Sequence, residues 1–235
     1  MAETKPFDPR VPLLLLLSVT TGLVDAASVL SLGKVFTANM TGNVVFLGFA
    51  VVGTPGFVWP PFVIAIASFV VGALIGGRTG QAYIAKTERR WLMMAAAIET
   101  VLLWAASVLA IGRGLETGVP ETPQVFAIIA LTGLAMGFRN ATIRQMKVAD
   151  LTTTVLTLTL TGLAADSTAA GGVNPNCARR IAAVIAIFLG AAIGAALLMT
   201  FGLAAPLAAA GFIVLVGTVG CMAHPAARTR LKGPG

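Results

Sequence analysis

The polar residues of the segment FTANMTGN, at positions 36–43, recur at every second position between two long apolar runs. Thr37, Asn39, Thr41 and Asn43 carry hydroxyl and amide groups that can donate and accept hydrogen bonds. Such groups can satisfy a backbone that enters a bilayer without forming a continuous helix. The spacing therefore predicts a polar site at membrane depth.

Carboxylates inside apolar runs form a second group of candidates. Asp25 lies in the first run and Glu99 in the third, where an ionised carboxylate is costly unless it faces a partner or a water-filled path. For Asp25, a place in a solute or proton path and a structural hydrogen bond to the Thr-Asn segment both stay open. For Glu99 we favour a structural role, with Arg89, Arg90 or a polar cavity as its surroundings.

A second polar segment, DLTTTVLTLTLTGLAA at 150–165, resembles the first in composition. Its candidate residues for a solute pathway are Asp150, Thr152 and Thr154. Arg139 and Asn140 precede it and are secondary candidates. We expect them to pair with Asp150, as a structural salt bridge in preference to a transport role.

The composition places these residues in a bilayer. The chain is 57% apolar and 11% charged, whereas soluble domains are about half apolar and a quarter charged. Apolar runs near the ~20 residues needed to cross a membrane occur at 13–32, 59–77, 91–111, 125–143, 181–201 and 206–223. Segments 36–53 and 150–165 are weaker candidates. The predicted fold is an all-α integral membrane protein.

The distribution of Lys and Arg indicates that the two weaker segments do not cross. If all eight segments spanned the membrane, the basic residues would divide evenly between its faces. With six spans and both termini inside, only Lys34 and Arg113 of the 16 lie outside. Cytoplasmic loops are enriched in Lys and Arg, so we predict six spans, a multi-pass protein of the bacterial inner membrane and cytoplasmic termini.

A weak internal repeat supports this topology. Aligning the chain with itself pairs Gly22-Leu23 with Gly133-Leu134, and GALIG at 72–76 with GAAIG at 190–194. Residues 1–112 and 113–235 would then be two repeats of three spans within one transmembrane domain. Because three is odd, the second repeat enters from the opposite face, as in transporters with inverted repeats.

The two polar segments would then be re-entrant half-helices, one from each face. The apolar stretches Val44 to Val52 and Val155 to Leu163 are each long enough for a helix of about 13 Å. Their polar starts, 39–43 and 150–154, would meet near the midplane and offer helix N-termini to a solute. The alternative is a pair of ordinary loops in which Thr and Asn cap interfacial helices.

The stretch GLVDAASVLSLGKVFTANMTGNVVFLG, at 22–48, resembles the signature region of the YoaK-like family of bacterial integral membrane proteins. The resemblance rests on Asp25, Phe36 and the run 39–43. It implies a six-helix inner-membrane protein of a family catalogued as a domain of unknown function. It implies no activity.

Signatures of catalysis and of cofactor or metal binding are absent from the sequence. It contains no P-loop, no Gly-x-Ser-x-Gly, no His-Glu-x-x-His and no paired Cys motif, so we expect no catalytic, cofactor or metal site. The expected partners are the lipid bilayer and a small-molecule solute, and no nucleic acid. Two small-residue faces, Gly72 with Gly76 and Gly190 with Gly194, suit packing within the subunit or in a homo-oligomer.

Three functional classes follow from these observations. We favour a channel or secondary transporter for a small solute, because it accounts for the repeat, the polar segments and the buried acids together. An accessory or structural membrane protein is the alternative. An intramembrane enzyme acting on lipid would need two carboxylates that converge on one cavity.

Overall fold

The computed structural model describes residues 8, 10–83, 88–115, 122–146 and 156–224. Its α-helices are α1 (Arg10–Ser31), α2 (Met40–Val51), α3 (Trp59–Tyr83), α4 (Glu88–Leu109), α5 (Pro123–Met146), α6 (Leu156–Ala165), α7 (Cys177–Phe201) and α8 (Ala204–Ala223). Six of them, all except α2 and α6, are long and apolar enough to cross a membrane. The predicted all-α fold with six spans and two short helices is confirmed.

The packing of α4 on α8 agrees with six crossings and not with eight. Thr100 Oγ1 donates to the Gly211 carbonyl, and Ser107 Oγ to the Ala204 carbonyl, so residue numbers rise along α4 as they fall along α8. These helices are therefore antiparallel, as the third and sixth crossings must be. As fourth and eighth crossings they would be parallel. With 12 and 10 residues, α2 and α6 measure about 18 and 15 Å, too short for ~30 Å of hydrocarbon.

Helix pairing joins the two halves of the chain. The most extensive contacts are those of α3 with α5 and of α1 with α7, and both pairs take one helix from each half. Exchanging α1–α4 for α5–α8 maps every helix pair onto another pair that is also in contact. At the centre, α1 and α5 are the most buried spans, and α4 and α8 complete the interior.

Glycines bring the paired helices into backbone contact. At six glycines an added Cβ would collide with the backbone of the neighbouring helix, and four of the six lie on α3 and α7. The pairs are Gly72 with Leu134 and Gly76 with Phe138 between α3 and α5, and Gly190 with Val19 and Gly194 with Leu23 between α7 and α1. Both helix pairs run parallel. These glycine faces are occupied within the subunit, so an oligomer that used them would have to displace α5 or α1.

The glycine contacts differ by one helical turn from the alignment on which the predicted internal repeat rests. Gly22 lies against the carbonyl of Ile187, three residues before Gly190; Gly137 lies against the carbonyl of Phe69, three residues before Gly72. Gly137 therefore occupies the position of Gly22, and the alignment of Gly22 with Gly133 is wrong by one helical turn. Gly133 and Gly137 share a helix face, so composition alone could not separate them.

The short helix α2 starts inside the bundle. After Ser31 the chain turns through Gly33 and Lys34, both with positive φ, and returns along α1. The Ala38 N–H then donates to Asp25 Oδ1 over 3.0 Å. Asp25 lies six residues before the end of α1, so α2 begins about 9 Å below that end. We call the membrane face at which α1 begins the N face, and the other the opposite face; α2 enters and leaves at the opposite face.

The glycine contacts lead to a stability prediction with a neighbouring control. In Gly76→Ala the new Cβ would lie 2.8 Å from the Phe138 carbonyl oxygen, whereas at Gly77 an added Cβ meets nothing within 4 Å. We expect Gly76→Ala to destabilise the protein by about 1–3 kcal/mol through overpacking. Gly77→Ala should be neutral or slightly stabilising, since Ala favours helix. Thermal unfolding in detergent checks this; equal midpoints for the two variants would contradict the close contact.

Candidate functional site

An ion pair lies in the interior of the bundle. Glu99 stands near the middle of α4, and Arg139 projects from α5. Arg139 Nε donates to Glu99 Oε1 over 2.6 Å, and Arg139 Nη2 donates to the same oxygen. The two residues are only 1% and 4% exposed. A charge at this depth is costly alone, so each residue makes the other tolerable.

Arg139 also binds α1. Its Nη1 donates to the Leu17 carbonyl over 3.2 Å and to Thr21 Oγ1 over 3.3 Å. The Thr21 hydroxyl donates its own hydrogen to the Leu17 carbonyl, which leaves its lone pairs free to accept from Arg139. One guanidinium thus joins α1, α4 and α5. Removing one partner of a buried ion pair costs about 3–5 kcal/mol, so the pair is a strong constraint on the bundle.

A cavity of about 20 Å³ adjoins the ion pair, with room for about one water molecule. Its polar lining is Glu99, Arg139, Thr142 and Thr218, and apolar side chains complete it. The lining residues come from the first halves of α1 and α4 and the last halves of α5 and α8. The cavity therefore lies between the ion pair and the N face.

Only one of the two carboxylate oxygens of Glu99 accepts hydrogen bonds from Arg139. In the part of the chain that the structure describes, the hydrogen bonds to Glu99 come from Arg139 alone, and both reach Oε1. The second oxygen, Oε2, has no donor among the described residues. Glu99, Arg139 and two threonines thus line a space the size of a water molecule. This arrangement suits a small hydrogen-bonding species.

Asp25 occupies the other side of the ion pair. It follows Thr21 by four residues on α1, so the two share a helix face. Its Oδ1 accepts a hydrogen bond from the backbone N–H of Ala38 over 3.0 Å. The start of α2 follows directly, and a helix N-terminus favours a nearby negative charge. Asp25 thereby links Arg139 to the re-entrant segment.

The residues of the first polar segment divide into different roles. Asn43 is 0% exposed; its Oδ1 accepts from the Phe36 N–H over 2.9 Å, and its Nδ2 donates to the Phe36 carbonyl over 2.5 Å. This pair of bonds fixes the turn that leads into α2. Asn39 precedes the helix, makes no capping hydrogen bond and is exposed, as is Thr41. The structure does not gather Asn39, Thr41 and Asn43 around one cavity.

Only part of the second polar segment can be placed. Asp150, Thr152 and Thr154, with their expected meeting with the first segment, lie outside the described residues. Asn140 donates to the Met136 carbonyl within α5 over 2.8 Å. Arg139 was expected to pair with Asp150, which lies outside the described residues, and Glu99 with Arg89, Arg90 or a polar cavity. The structure pairs Arg139 with Glu99, and Glu99 lines a cavity. Arg139 does not extend to the membrane surface.

Sequence reasoning missed the groups that complete the ion pair. Thr21 and the Leu17 carbonyl hold Arg139, and Thr142 and Thr218 line the cavity. For Thr21 the sequence did contain a signal, because Thr21 and Asp25 are four residues apart on one helix. No sequence signal pointed to the two cavity threonines, because Thr is common in apolar helices and the direction of its side chain depends on the packing.

Comparison with known proteins gives a family and no activity. Residues 13–219 match the family described as protein of unknown function (DUF1275). The chain is 34% identical over 161 residues to the UPF0700 transmembrane protein YoaK of Bacillus subtilis (strain 168), covering 67% of each chain. No solved structure matches significantly.

The turn before α2 gives the prediction for this region. Asn43→Ala leaves the Phe36 N–H and carbonyl without partners, at a cost of about 1–3 kcal/mol for each unsatisfied group. We expect a clear fall in the thermal midpoint of Asn43→Ala and no fall in Thr41→Ala, whose side chain is exposed on the same helix. Differential scanning fluorimetry in detergent measures both. Equal midpoints would show that the two bonds do not hold the turn.

Proposed function

The chain belongs to the DUF1275 family of proteins of unknown function, and we propose from its own residues that it is a channel or secondary transporter for a small solute. The single observation that carries this proposal is the Glu99–Arg139 pair beside an internal cavity. Ionisable residues within spans are expensive and commonly mark solute or ion pathways. A bundle that only had to pack could fill the same volume with apolar side chains, often without loss of stability.

The helix arrangement supports an inverted-repeat transporter. The helix contacts keep their pattern when the two halves are exchanged, and the short helix of each half packs on the following span of that half. Transporters of this design place their sites at the interface of the repeats, near the midplane. The ion pair joins α4 and α1 of the first half to α5 of the second, which is such an interface.

The larger groove on the protein does not favour the enzyme alternative. It measures about 380 Å³, lies between α1 and α8, and is lined by Pro12, Leu13, Leu16, Phe212, Ile213, Val216, Gly217, Gly220, Cys221 and His224. No carboxylate of the described residues reaches it. An enzyme acting on lipid needs two acids on one cavity, and of the described acids only Glu99 lines the inner cavity.

For orientation we propose that the N face is cytoplasmic and that the membrane is the bacterial plasma membrane. The described basic residues Arg10, Arg78, Arg89, Arg90, Arg144, Arg179 and Arg180 belong to the N-face ends of the spans. Lys34 and Arg113 belong to the opposite face. This asymmetry is the one that cytoplasmic loops show.

Cysteine labelling tests the orientation. In a chain whose Cys177 and Cys221 are replaced by Ser, single cysteines at 34 and 113 should react with a membrane-impermeant maleimide from outside intact cells. Cysteines at 86 and 228 should react only after the cells are opened. Labelling of position 86 from outside would overturn both the orientation and the inverted repeat.

Flux through proteoliposomes tests the transport function. The purified protein is reconstituted and assayed against a panel of neutral, cationic, anionic and zwitterionic small solutes. We expect uptake of one class, and a fall of at least about ten-fold in Glu99→Gln, because the lost charge breaks the ion pair beside the cavity. Val101→Ala, on the same helix but 64% exposed at its outer surface, should retain full uptake. If no solute class is taken up, the transport function is wrong and the accessory role replaces it.

A further inference from the structure

The interior of the bundle holds two acids and one base. Among the described spans, the ionisable side chains away from the helix ends are Asp25, Glu99 and Arg139. With both acids ionised this cluster would carry a net negative charge. An uncompensated charge in a low-dielectric interior costs several kcal/mol. The α2 N-terminus supplies only partial compensation, about half a charge.

Every helix packed around the cluster has its other ionisable groups near one end. The remaining ones whose side chains the structure describes belong to the N-face ends of their helices: Arg10 on α1, Arg78 and Tyr83 on α3, Arg89 and Arg90 on α4, Arg144 on α5, Cys177, Arg179 and Arg180 on α7, and Cys221 on α8. His224 follows α8 at the same face. None of these positions lies at the depth of Glu99. Among the described residues, the charge of the cluster is therefore balanced only within the cluster.

Arg139 lies within reach of two alternative partners. It binds Glu99 on one side and Thr21 on the other, and Asp25 lies four residues, about 6 Å, beyond Thr21 on the same face of α1. The two acids also lie toward different faces. Glu99 lines the cavity on the N-face side, while Asp25 is half-buried at the foot of the segment that enters from the opposite face.

We propose that the cluster carries one proton, held by whichever carboxyl group Arg139 does not bind, and that Arg139 exchanges between Glu99 and Asp25 as a proton-coupled switch. The proposal rests on the transport function above and names its coupling ion. In the described state Arg139 binds Glu99, so the proton is on Asp25. In the other state Arg139 binds Asp25 and the proton is on Glu99.

The exchange balances in atoms and charge. The O–H bond of Asp25 breaks and its proton passes to water at the opposite face, while Glu99 Oε2 forms an O–H bond with a proton from hydronium in the N-face cavity. Arg139 stays charged throughout; it leaves Glu99 Oε1 and bonds to the Asp25 carboxylate. The cluster is neutral before and after, and one proton enters from one face as another leaves at the other.

The cavity beside Glu99 suits a proton as the coupling ion better than a metal cation. The cavity holds about one water molecule, and its oxygen ligands are Glu99, Thr142 and Thr218. A hard metal cation such as Mg²⁺ or Ca²⁺ takes six or more oxygen ligands, and a sodium ion likewise needs several around it. A proton needs only the free oxygen of Glu99 and a water to deliver it.

Carbodiimide labelling tests the switch without any transported solute. Dicyclohexylcarbodiimide reacts with protonated carboxyl groups in apolar surroundings, and top-down mass spectrometry counts adducts at Asp25 and Glu99 on the same molecule. In the full-length protein in detergent we expect Asp25 or Glu99 to react, and never both in one chain, because the first adduct leaves Arg139 on the other acid. Chains carrying both adducts, or chains carrying neither, would overturn the proposal.

Conservative variants separate the switch from a structural role. In Glu99→Gln, Arg139 should move to Asp25 and protect it, so labelling of Asp25 falls at least about ten-fold; Glu99→Asp should restore it. In Asp25→Asn, Glu99 should stay unreactive because Arg139 has no other partner. Thr100→Ala, next to Glu99 but directed at α8, should label like the wild type. Unchanged labelling of Asp25 in Glu99→Gln, in protein that elutes as a single folded species, would overturn the switch.

Three further outcomes are informative. Replacing choline by sodium in the buffer should not change the labelling; protection by sodium would overturn the proton as the coupling ion. Exclusive labelling in a protein that shows no solute flux would keep the switch and remove the transport function. Flux together with simultaneous labelling of both acids would keep transport and remove the switch.

Discussion

A charge cannot stand alone in the bilayer interior, and the centre of this protein is organised by that constraint. Arg139, on α5, satisfies this constraint with two sets of bonds. It binds Glu99 on α4, and it binds the Leu17 carbonyl and Thr21 on α1. Three spans are thereby held in one register by one side chain. The small cavity beside the pair exists because polar side chains there cannot close against apolar neighbours without losing hydrogen bonds.

The frame around this centre depends on backbone contact between helices. Gly76 and Gly194 allow α3 to reach α5 and α7 to reach α1 at distances that no larger residue permits. Hydrophobic burial supplies little force between helices in lipid, so close van der Waals packing has to hold them. Because each glycine pair joins one half of the chain to the other, the two halves form one interlocked bundle with the ion pair at their interface.

The polar segment before α2 illustrates how one motif serves two purposes. Asn43 holds the turn at Phe36, which lets the backbone enter the membrane with its polar groups bonded. The same turn delivers the backbone N–H group of Ala38 to Asp25. A segment that looks in sequence like a binding motif therefore acts first as the support of a carboxylate on another helix.

The sequence by itself determined the membrane class, the six spans and the two short helices, because apolar length and the distribution of Lys and Arg depend only on local composition and on the thickness of the bilayer. It also singled out Asp25, Glu99, Arg139 and Asn43, because polar groups in apolar runs are conspicuous. Their partners were decided only by the tertiary structure. Glu99 and Arg139 are 40 residues apart, and their meeting depends on the angle and register of α4 and α5, which packing fixes. The one-turn error at Gly133 and Gly137 has the same cause, since residues on one helix face are equivalent until a neighbouring helix selects between them.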